Sequence, residues 1–331
     1  MRSFQLGAYD RMFKNAIESY TGYLQLQHKD YFDDPVIDNS FELDLSVTER
    51  IISDPNVTAI VPRFESFALA AAGSRTQGVM VLGIDPEGED QVSGLRGRLV
   101  KYRLTPEAIE KLKDEQIPER TKGLLDLLSN ESFSSEGRMM LDLAIDTRDS
   151  SVIMPLIRRH ASFANNYLDK EVVGGIMIGS GLSDYLKAGV GDTLVLMGQG
   201  YHGTSAAGKY VIRGIVKLPT PDIDNLIVYL PLETARELFA APGMATTAVI
   251  RLNNNNDKVV MVTGERLGET LEDPLRIRNW HELNALLINQ MDADNKSGMI
   301  MIGILYLVIA FGVFGTVLMM LAERRREFGM L

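Results

Sequence analysis

Met299–Ala322 reads MIMIGILYLVIAFGVFGTVLMMLA, and Glu323-Arg324-Arg325-Arg326-Glu327-Phe328-Gly329 follows at once. No charged residue interrupts this run of 24. At about 1.5 Å per residue such a helix is about 36 Å long, enough to cross a bilayer with some tilt. A helix on the surface of a soluble domain keeps one polar face, and this stretch has none. Three consecutive arginines mark their end as cytoplasmic. The span therefore puts nearly all of the chain on the other side of the membrane.

Composition narrows what that outer part does. The chain has 331 residues, 45% of them hydrophobic and 24% charged, which is the balance of a globular domain. Its net charge of −10 argues against a nucleic-acid partner, because phosphate binding needs a concentrated basic face. There is no cysteine, so disulfides, thiolate metal sites and a cysteine nucleophile are ruled out. Met1–Asp10 (MRSFQLGAYD) lacks the n-region, apolar h-region and cleavage site of a signal peptide. A chain whose only span is near its end needs an earlier hydrophobic segment to start translocation. The reading therefore expects a fragment, or a start placed at an internal methionine.

Upstream of the span, periodicity alternates between strand and helix. Residues 9–21 carry Met12, Phe13, Ala16, Ile17 and Tyr20 at helical spacing, stopped by Gly22, so 1–22 is expected to be a helical lead-in from a missing first span. Tyr23–His28 alternates like a half-buried strand. Ser46-Val-Thr-Glu49 has the form of a capping box, with Val47, Ile51 and Ile52 as the buried stripe. Val57–Ala72 and Thr76–Ile84 read as strands around a Gly73-Ser74 turn, completing an α/β segment over 23–103. Thr105-Pro106-Glu107 opens a helix with proline at its first position. Further helices are expected around Leu124–Leu128, Met139–Ile145 and Val152–Tyr167, so 104–170 reads as a helical insertion. A second α/β segment follows over 171–291. Its strands are expected at 175–178, 193–197, 210–216, 227–231, 246–252 and 275–279, with a glycine-rich hairpin loop at Gly198–Gly208 that could swing as a contact surface or be a plain loop. Residues 281–291 lead helically into the span, which occupies 292–322 with its lead-in, and 323–331 begins a cytoplasmic segment.

No catalytic constellation emerges. His28, His160, His202 and His281 are scattered, and none has a second ligand at metal spacing. No Walker A pattern is present, so the chain is not expected to bind ATP, and no cofactor or metal is expected. Gly179-Ser180-Gly181 is not a nucleophile elbow, since Ile178 stands where glycine is needed, and its expected role is to turn the chain into a helix. Asp142, Asp146 and Asp149 lack the glycine and terminal glutamate of a calcium loop and read as a solvated helix face. Gly191-Asp192 reads as a tight turn with the carboxylate bonded to backbone. Within the span, Gly312 and Thr316 form a small-xxx-small pair with Gly315 nearby, a pattern that lets helices approach closely. Arg324–Arg326 read either as a topology signal alone or as the start of a contact with a cytoplasmic partner and anionic lipid.

Three stretches together resemble one family. Ile178-Gly-Ser-Gly-Leu-Ser-Asp-Tyr-Leu-Lys-Ala-Gly-Val-Gly-Asp-Thr-Leu-Val-Leu196 is similar to a periplasmic segment of FtsX-like, MacB-type ABC transporter permeases, whose relatives include the lipoprotein-releasing permeases. Leu321-Ala-Glu-Arg-Arg-Arg-Glu-Phe-Gly-Met-Leu331 resembles the place where that family's second span meets the cytoplasm, and Tyr20-Thr-Gly-Tyr-Leu-Gln-Leu26 resembles its first periplasmic strand. The likeness covers 1–103 and 171–331. It implies an α+β fold: a large periplasmic domain of mixed sheets and helices, the MacB-like periplasmic core, followed by one transmembrane helix. This chain departs from the family plan by lacking the first span and the last two.

What the resemblance implies about function is specific. It implies a non-enzymatic permease subunit in the bacterial inner membrane, paired with a second permease as a homo- or heterodimer and with a separate cytoplasmic ABC ATPase. ATP hydrolysis would be transmitted through the spans to the periplasmic domains, which release or export a cargo such as a lipoprotein. Glu323, Arg324, Arg325, Arg326, Glu327, Phe328 and Gly329 would begin the ATPase-facing coupling segment, and Gly312, Gly315 and Thr316 would pack the span. The competing expectation is a single-span sensor or anchored binding protein with an extracytoplasmic ligand domain.

Overall fold

The structure is a computed structural model that describes residues 17–168 and 174–328. The chain divides into two units, Met1–Trp280 and His281–Leu331. The strands of the first are β1 (Leu24–His28), β2 (Phe41–Glu42), β3 (Val57–Ala72), β4 (Arg75–Ile84), β5 (Tyr102–Arg103), β6 (Ser132–Phe133), β7 (Gly175–Gly179), β8 (Thr193–Gln199), β9 (Ser205–Val216), β10 (Ile227–Pro231), β11 (Met244–Ala245), β12 (Thr247–Leu252) and β13 (Leu275–Asn279). With the helices between them they give the mixed α+β class read from the sequence.

The 16 residues of β3 are long enough for its edges to serve three neighbours in turn. Its first half pairs antiparallel with β12, from Val57 with Leu252 to Arg63 with Thr247. From Arg63 to Ala72 it pairs with β4, and Ala68–Ala71 pair with β8 on the other side. The sheet therefore runs β13-β1-β12-β3 as an open wing and closes on itself through β3-β4-β10-β7-β9-β8-β3. Phe64, Ala70, Val81, Ile178, Leu196 and Ile212 fill the space inside this ring. Closure needs small residues at the seam. A Cβ on Gly198 would stand 2.9 Å from the Phe67 carbonyl oxygen.

The wing carries helices Leu45–Ile52 and Asp257–Thr270 against Leu24, Leu26, Val57 and Ile250. Two expectations change here. β1 is buried on both faces rather than half-buried, and the Gln25 amide donates to Thr21 O in the turn before it. Gln25 and Gln27 are each only 4% exposed, and the Gln27 amide donates to Gln25 Oε1 at 2.7 Å. The cap of Leu45–Ile52 is Asp44, which accepts from Val47 N at 2.8 Å. Ser46, expected to cap, instead gives its hydroxyl to the same carboxylate. The buried stripe is Val47 and Ile51, spaced one turn apart, while Ile52 faces outward at 47% exposure.

Residues 104–160 hold helices Pro106–Lys113, Glu119–Leu127, Glu136–Asp142 and Thr147–His160. They enclose an apolar core of their own, including Leu104, Leu112, Leu125, Met139, Ile153 and Ile157. Thr105 caps the first, accepting from Ala108 N, with Pro106 at the first position as expected. Both later helices start and end earlier than their apolar patterns suggest: Ser135 caps one start, and the chain beyond His160 is extended as it returns to the sheet. The loop expected over 198–208 shrinks to Gly200–Thr204, because β8 and β9 pair down to Gln199 and Ser205. That tip is tethered, with Tyr201 N donating to Phe239 O and His202 N to Asp38 Oδ1.

Among its described residues the second unit holds most of a short helix, Trp280–Leu283, and the helix Ala285–Phe328 of 44 residues. Its stretch Ala285–Ala322 is long and apolar enough to cross a membrane. Residues 1–16 of the expected lead-in lie outside the described residues, and Ile17–Thr21 form a single helical turn before Gly22, whose φ of +67° suits glycine.

Where β3 passes from wing to ring it carries a fully buried ion pair. Arg63 Nε and Nη2 each donate to a Glu89 carboxylate oxygen at 2.8 Å, and Arg63 Nη1 donates to the Tyr20 carbonyl. Two residues on, Glu65 accepts from the Tyr20 and Tyr31 hydroxyls at 3.0 and 3.3 Å and from Thr247. Burial pushes the Glu65 carboxyl up from its usual range, against the pull of Arg63 and these hydroxyl donors. Arg63→Met leaves the Glu89 charge buried and is expected to cost about 3–5 kcal/mol in chemical denaturation. Adding Glu89→Met should recover most of that loss. A double variant as unstable as the single one would show that the pair is not the source of the cost.

Candidate functional site

The Gly179-Ser180-Gly181 segment does turn β7 into a helix, Ser180–Leu186. What holds the turn is a residue far along the chain. Asp224, 3% exposed, accepts from Ser180 N at 3.2 Å, Ser180 Oγ at 2.9 Å, Gly181 N at 3.0 Å and Leu218 N at 2.9 Å. A carboxylate at a helix start satisfies free N–H groups and meets the positive end of the helix dipole. Gly179 is required by contact, since a Cβ there would fall 2.0 Å from the Asp224 carbonyl oxygen, whereas one on Gly181 would meet only the Asn225 side chain closely. The second glycine-rich turn behaves as read, with Asp192 Oδ2 accepting from Gly189 N at 2.8 Å.

Asp224 also lines a cleft of about 510 Å³ between the ring and the helical segment. Lys217 bridges the two sides, with its Nζ 2.9 Å from Glu131 and 3.8 Å from Asp224. Arg103 pairs with Asp184 across the same seam. From the helical side come Ser132, Ser134 and Arg138, the last paired with Asp142 at 2.7 Å. The single solvated helix face expected for Asp142, Asp146 and Asp149 is not formed: Asp142 ends one helix and pairs with Arg138, while Asp146 and Asp149 stand at the start of the next. Sequence reading missed Lys217, Glu131 and Asp224, because nothing local marks residues that meet only through tertiary packing.

The histidines remain apart. His160 Nε2 lies 3.0 Å from Glu115, His202 Nδ1 3.5 Å from Asp38 and His28 Nδ1 3.6 Å from Asp30. Among the described residues no three His, Asp or Glu side chains group as metal ligands. The expected coupling residues Glu323–Phe328 continue the long helix, Arg324 is exposed, and Gly329 lies outside the described residues. Gly312, Gly315 and Thr316 sit within its apolar stretch. The Thr316 hydroxyl donates to Val313 O of its own helix at 2.7 Å, so it presents a methyl-bearing surface rather than a free donor.

Neither a family model nor a curated protein matches this sequence. Among solved structures, the periplasmic region of MacB from Actinobacillus actinomycetemcomitans is similar over 84% of this chain and 98% of its own, at 13% identity and a TM-score of 0.42. The extracellular domain of the ABC-type transporter YknZ from Gram-positive bacteria is similar over 78% of this chain and 100% of its own, at 10% identity and a TM-score of 0.39.

The helical wall of the cleft is held by Glu136. It takes two bonds from Arg158 at 2.8 Å and one from the Tyr102 hydroxyl at 2.6 Å. The Arg158 guanidinium and then Tyr102 hold its carboxyl down at about 2. A folded pKa below the unfolded one stabilises the fold above the unfolded value, roughly 4.3, and that contribution fades as pH falls towards the folded value. Glu136→Gln is expected to lower stability near neutral pH and to flatten the fall in melting temperature between about pH 5 and pH 2. Parallel acid profiles for the two proteins would assign the acid sensitivity elsewhere.

Proposed function

We propose that this chain is the extracytoplasmic domain and adjoining span of an ABC transporter permease, acting by transmitting force rather than by catalysis. The observation that carries the reading is the unbroken helix Ala285–Phe328, in which the apolar span and the arginine-rich end form one element. A continuous helix resists axial compression because each turn is hydrogen-bonded to the next. A displacement at Glu323–Phe328 is therefore passed along the helix instead of being absorbed at a joint. The sequence likeness of 178–196 and 321–331 to MacB-type permeases supplies the direction: an ATPase subunit at the arginine end and a cargo, such as a lipoprotein, at the outer end.

In this reading the protein sits in the bacterial inner membrane with its main domain on the periplasmic side. It pairs with a second permease, homo- or heteromeric, and Gly312, Gly315 and Thr316 give the span a surface on which another helix can approach. Arg324–Arg326 meet anionic lipid and the ATPase.

Two variants of the full-length permease, reconstituted with its ATPase, test this. Inserting Gly-Gly after Ser297 breaks helix continuity without touching the apolar run. ATP hydrolysis is expected to persist while cargo release falls to background. Reversing the charge of Arg324, Arg325 and Arg326 is expected to reduce ATPase stimulation as well. Full cargo release from the Gly-Gly variant would sink the force-transmission reading. Co-purification with no ATPase from native membranes would sink the permease reading itself.

A further inference from the structure

The outer face of the closed ring is covered over only part of its area. Residues directly opposite each other in an antiparallel pair share a face, so Arg63 with Ile84 and Glu65 with Leu82 point outward, away from Phe64, Val79 and Val81 inside. Leu82 and Ile84 are buried there in an apolar cluster with Leu95, Leu168 and Leu218. The cover ends at Met80, whose sulfur lies 3.3 Å from the Tyr20 hydroxyl. Beyond it the same face is bare. Phe67 is 63% exposed, Leu69 43% and Met197 41%. The register makes them one patch: Phe67 stands opposite Met80, Leu69 between Gly78 and Met197, and Met197 beside Ala207. None of these positions is charged, although 24% of the chain is. An antiparallel face open to water is ordinarily polar.

Gly78 independently points the same way. It lies inside β4, is exposed, and has no positive φ that would call for glycine. The β3–β4 register runs through it without a bulge, and a Cβ there would meet nothing within 4 Å. The packing of this chain therefore does not require glycine at this place. A strand-interior glycine without a bulge or bend marks a point where another molecule comes close. Gly78 leaves a pit in the patch beside Leu69, with Met80 next along the strand on the same face.

We propose that this patch is a two-fold contact between two copies of the chain. Such a contact uses one surface twice, so the surface must complement itself. An axis between the two facing sheets, running along the β3–β4 pair, sets Leu69 of each copy over Gly78 of the other and Phe67 against Met80. A knob then fills a pit, and an aromatic ring meets a thioether, a favourable pairing. The three exposed side chains leave roughly 300 Å² bare, the size of a functional patch, whereas each partner in a stable complex from solution buries about 800 Å². A freely diffusing occupant held by this patch alone would dissociate. Two copies fixed in one membrane meet at high effective concentration, and a small patch then suffices. The inference rests on the permease pairing proposed above and names its partner and its surface.

Photo-crosslinking tests it, with p-benzoylphenylalanine in place of Phe67 in the full-length permease, expressed as two differently tagged copies in its native membrane. The same probe in place of Phe314, in the apolar helix, reports pairing of the spans by itself. The expected result is a Phe67 adduct of two chains that carries both tags. Leu69→Glu is expected to cut its yield about tenfold. Gly78→Val is expected to cut it likewise while leaving the melting temperature unchanged or higher, because valine suits an exposed strand position. Phe314 adducts without Phe67 adducts would overturn this surface and leave the pairing standing, and absence of both would overturn both. Phe67 adducts formed only with lipid or with a different protein would give the patch another occupant and overturn the proposal, as would yields unaffected by both variants.

Discussion

Strand β3 has to satisfy β12, β4 and β8 within 16 residues, and most of the first unit follows from how it does so. Its first half belongs to the open wing and its second half closes the ring. The changeover falls at Arg63, the residue where β12 pairing ends and β4 pairing begins. A strand at such a junction has neighbours on both edges and packing on both faces, so water cannot solvate a charge there. Arg63 is tolerated because Glu89 meets it in bidentate geometry and the Tyr20 carbonyl takes a third bond. The same arrangement fixes the turn at Ile17–Thr21 and helix Pro86–Ser93 to one point of the sheet.

The parts of this fold that were legible in the sequence are those governed by local rules. Val57–Ala72 alternates, Thr105-Pro106 opens a helix, Gly191-Asp192 makes a turn, and each stands in the structure as read. Local reading fails where two local signals compete or where a distant partner decides. Asp44 outcompetes Ser46 as cap because a carboxylate accepts from both the backbone and the serine hydroxyl. Gln25 and Gln27 look like the wet face of a strand, yet both are buried, with the Gln25 amide on Thr21 O and the Gln27 amide on Gln25 Oε1. The apparent loop at 198–208 is glycine-rich for a different reason, since Gly198 and Gly208 are in strands whose neighbours crowd the Cβ position.

The candidate site was the least legible part. Asp224, Lys217, Glu131 and Ser132 come from segments with no shared motif, and only the fold assembles them. Asp224 illustrates the difficulty. In the sequence it is one acid of Pro-Asp-Ile-Asp in a loop, while in the structure it holds the start of the helix that follows β7. The apolar helix was readable because its apolar run is continuous in the sequence and needs no distant partner to be seen.

The helical segment joins the ring through a narrow neck. Tyr102 bridges to Ser162, Phe163 N donates to Lys101 O at 2.9 Å, and Asn165 uses its side-chain amide on both Val100 O and Ile215 O. The outgoing and returning chains thus lie side by side where they leave the ring. A pair of adjacent strand ends closes equally well over a short turn or over a whole helical bundle, since closing a longer loop adds only slowly to the entropic cost. The ring therefore sets no length for what hangs from it. This region can be exchanged as a cassette, free to acquire a new outer surface while the barrel beneath it keeps its sequence constraints.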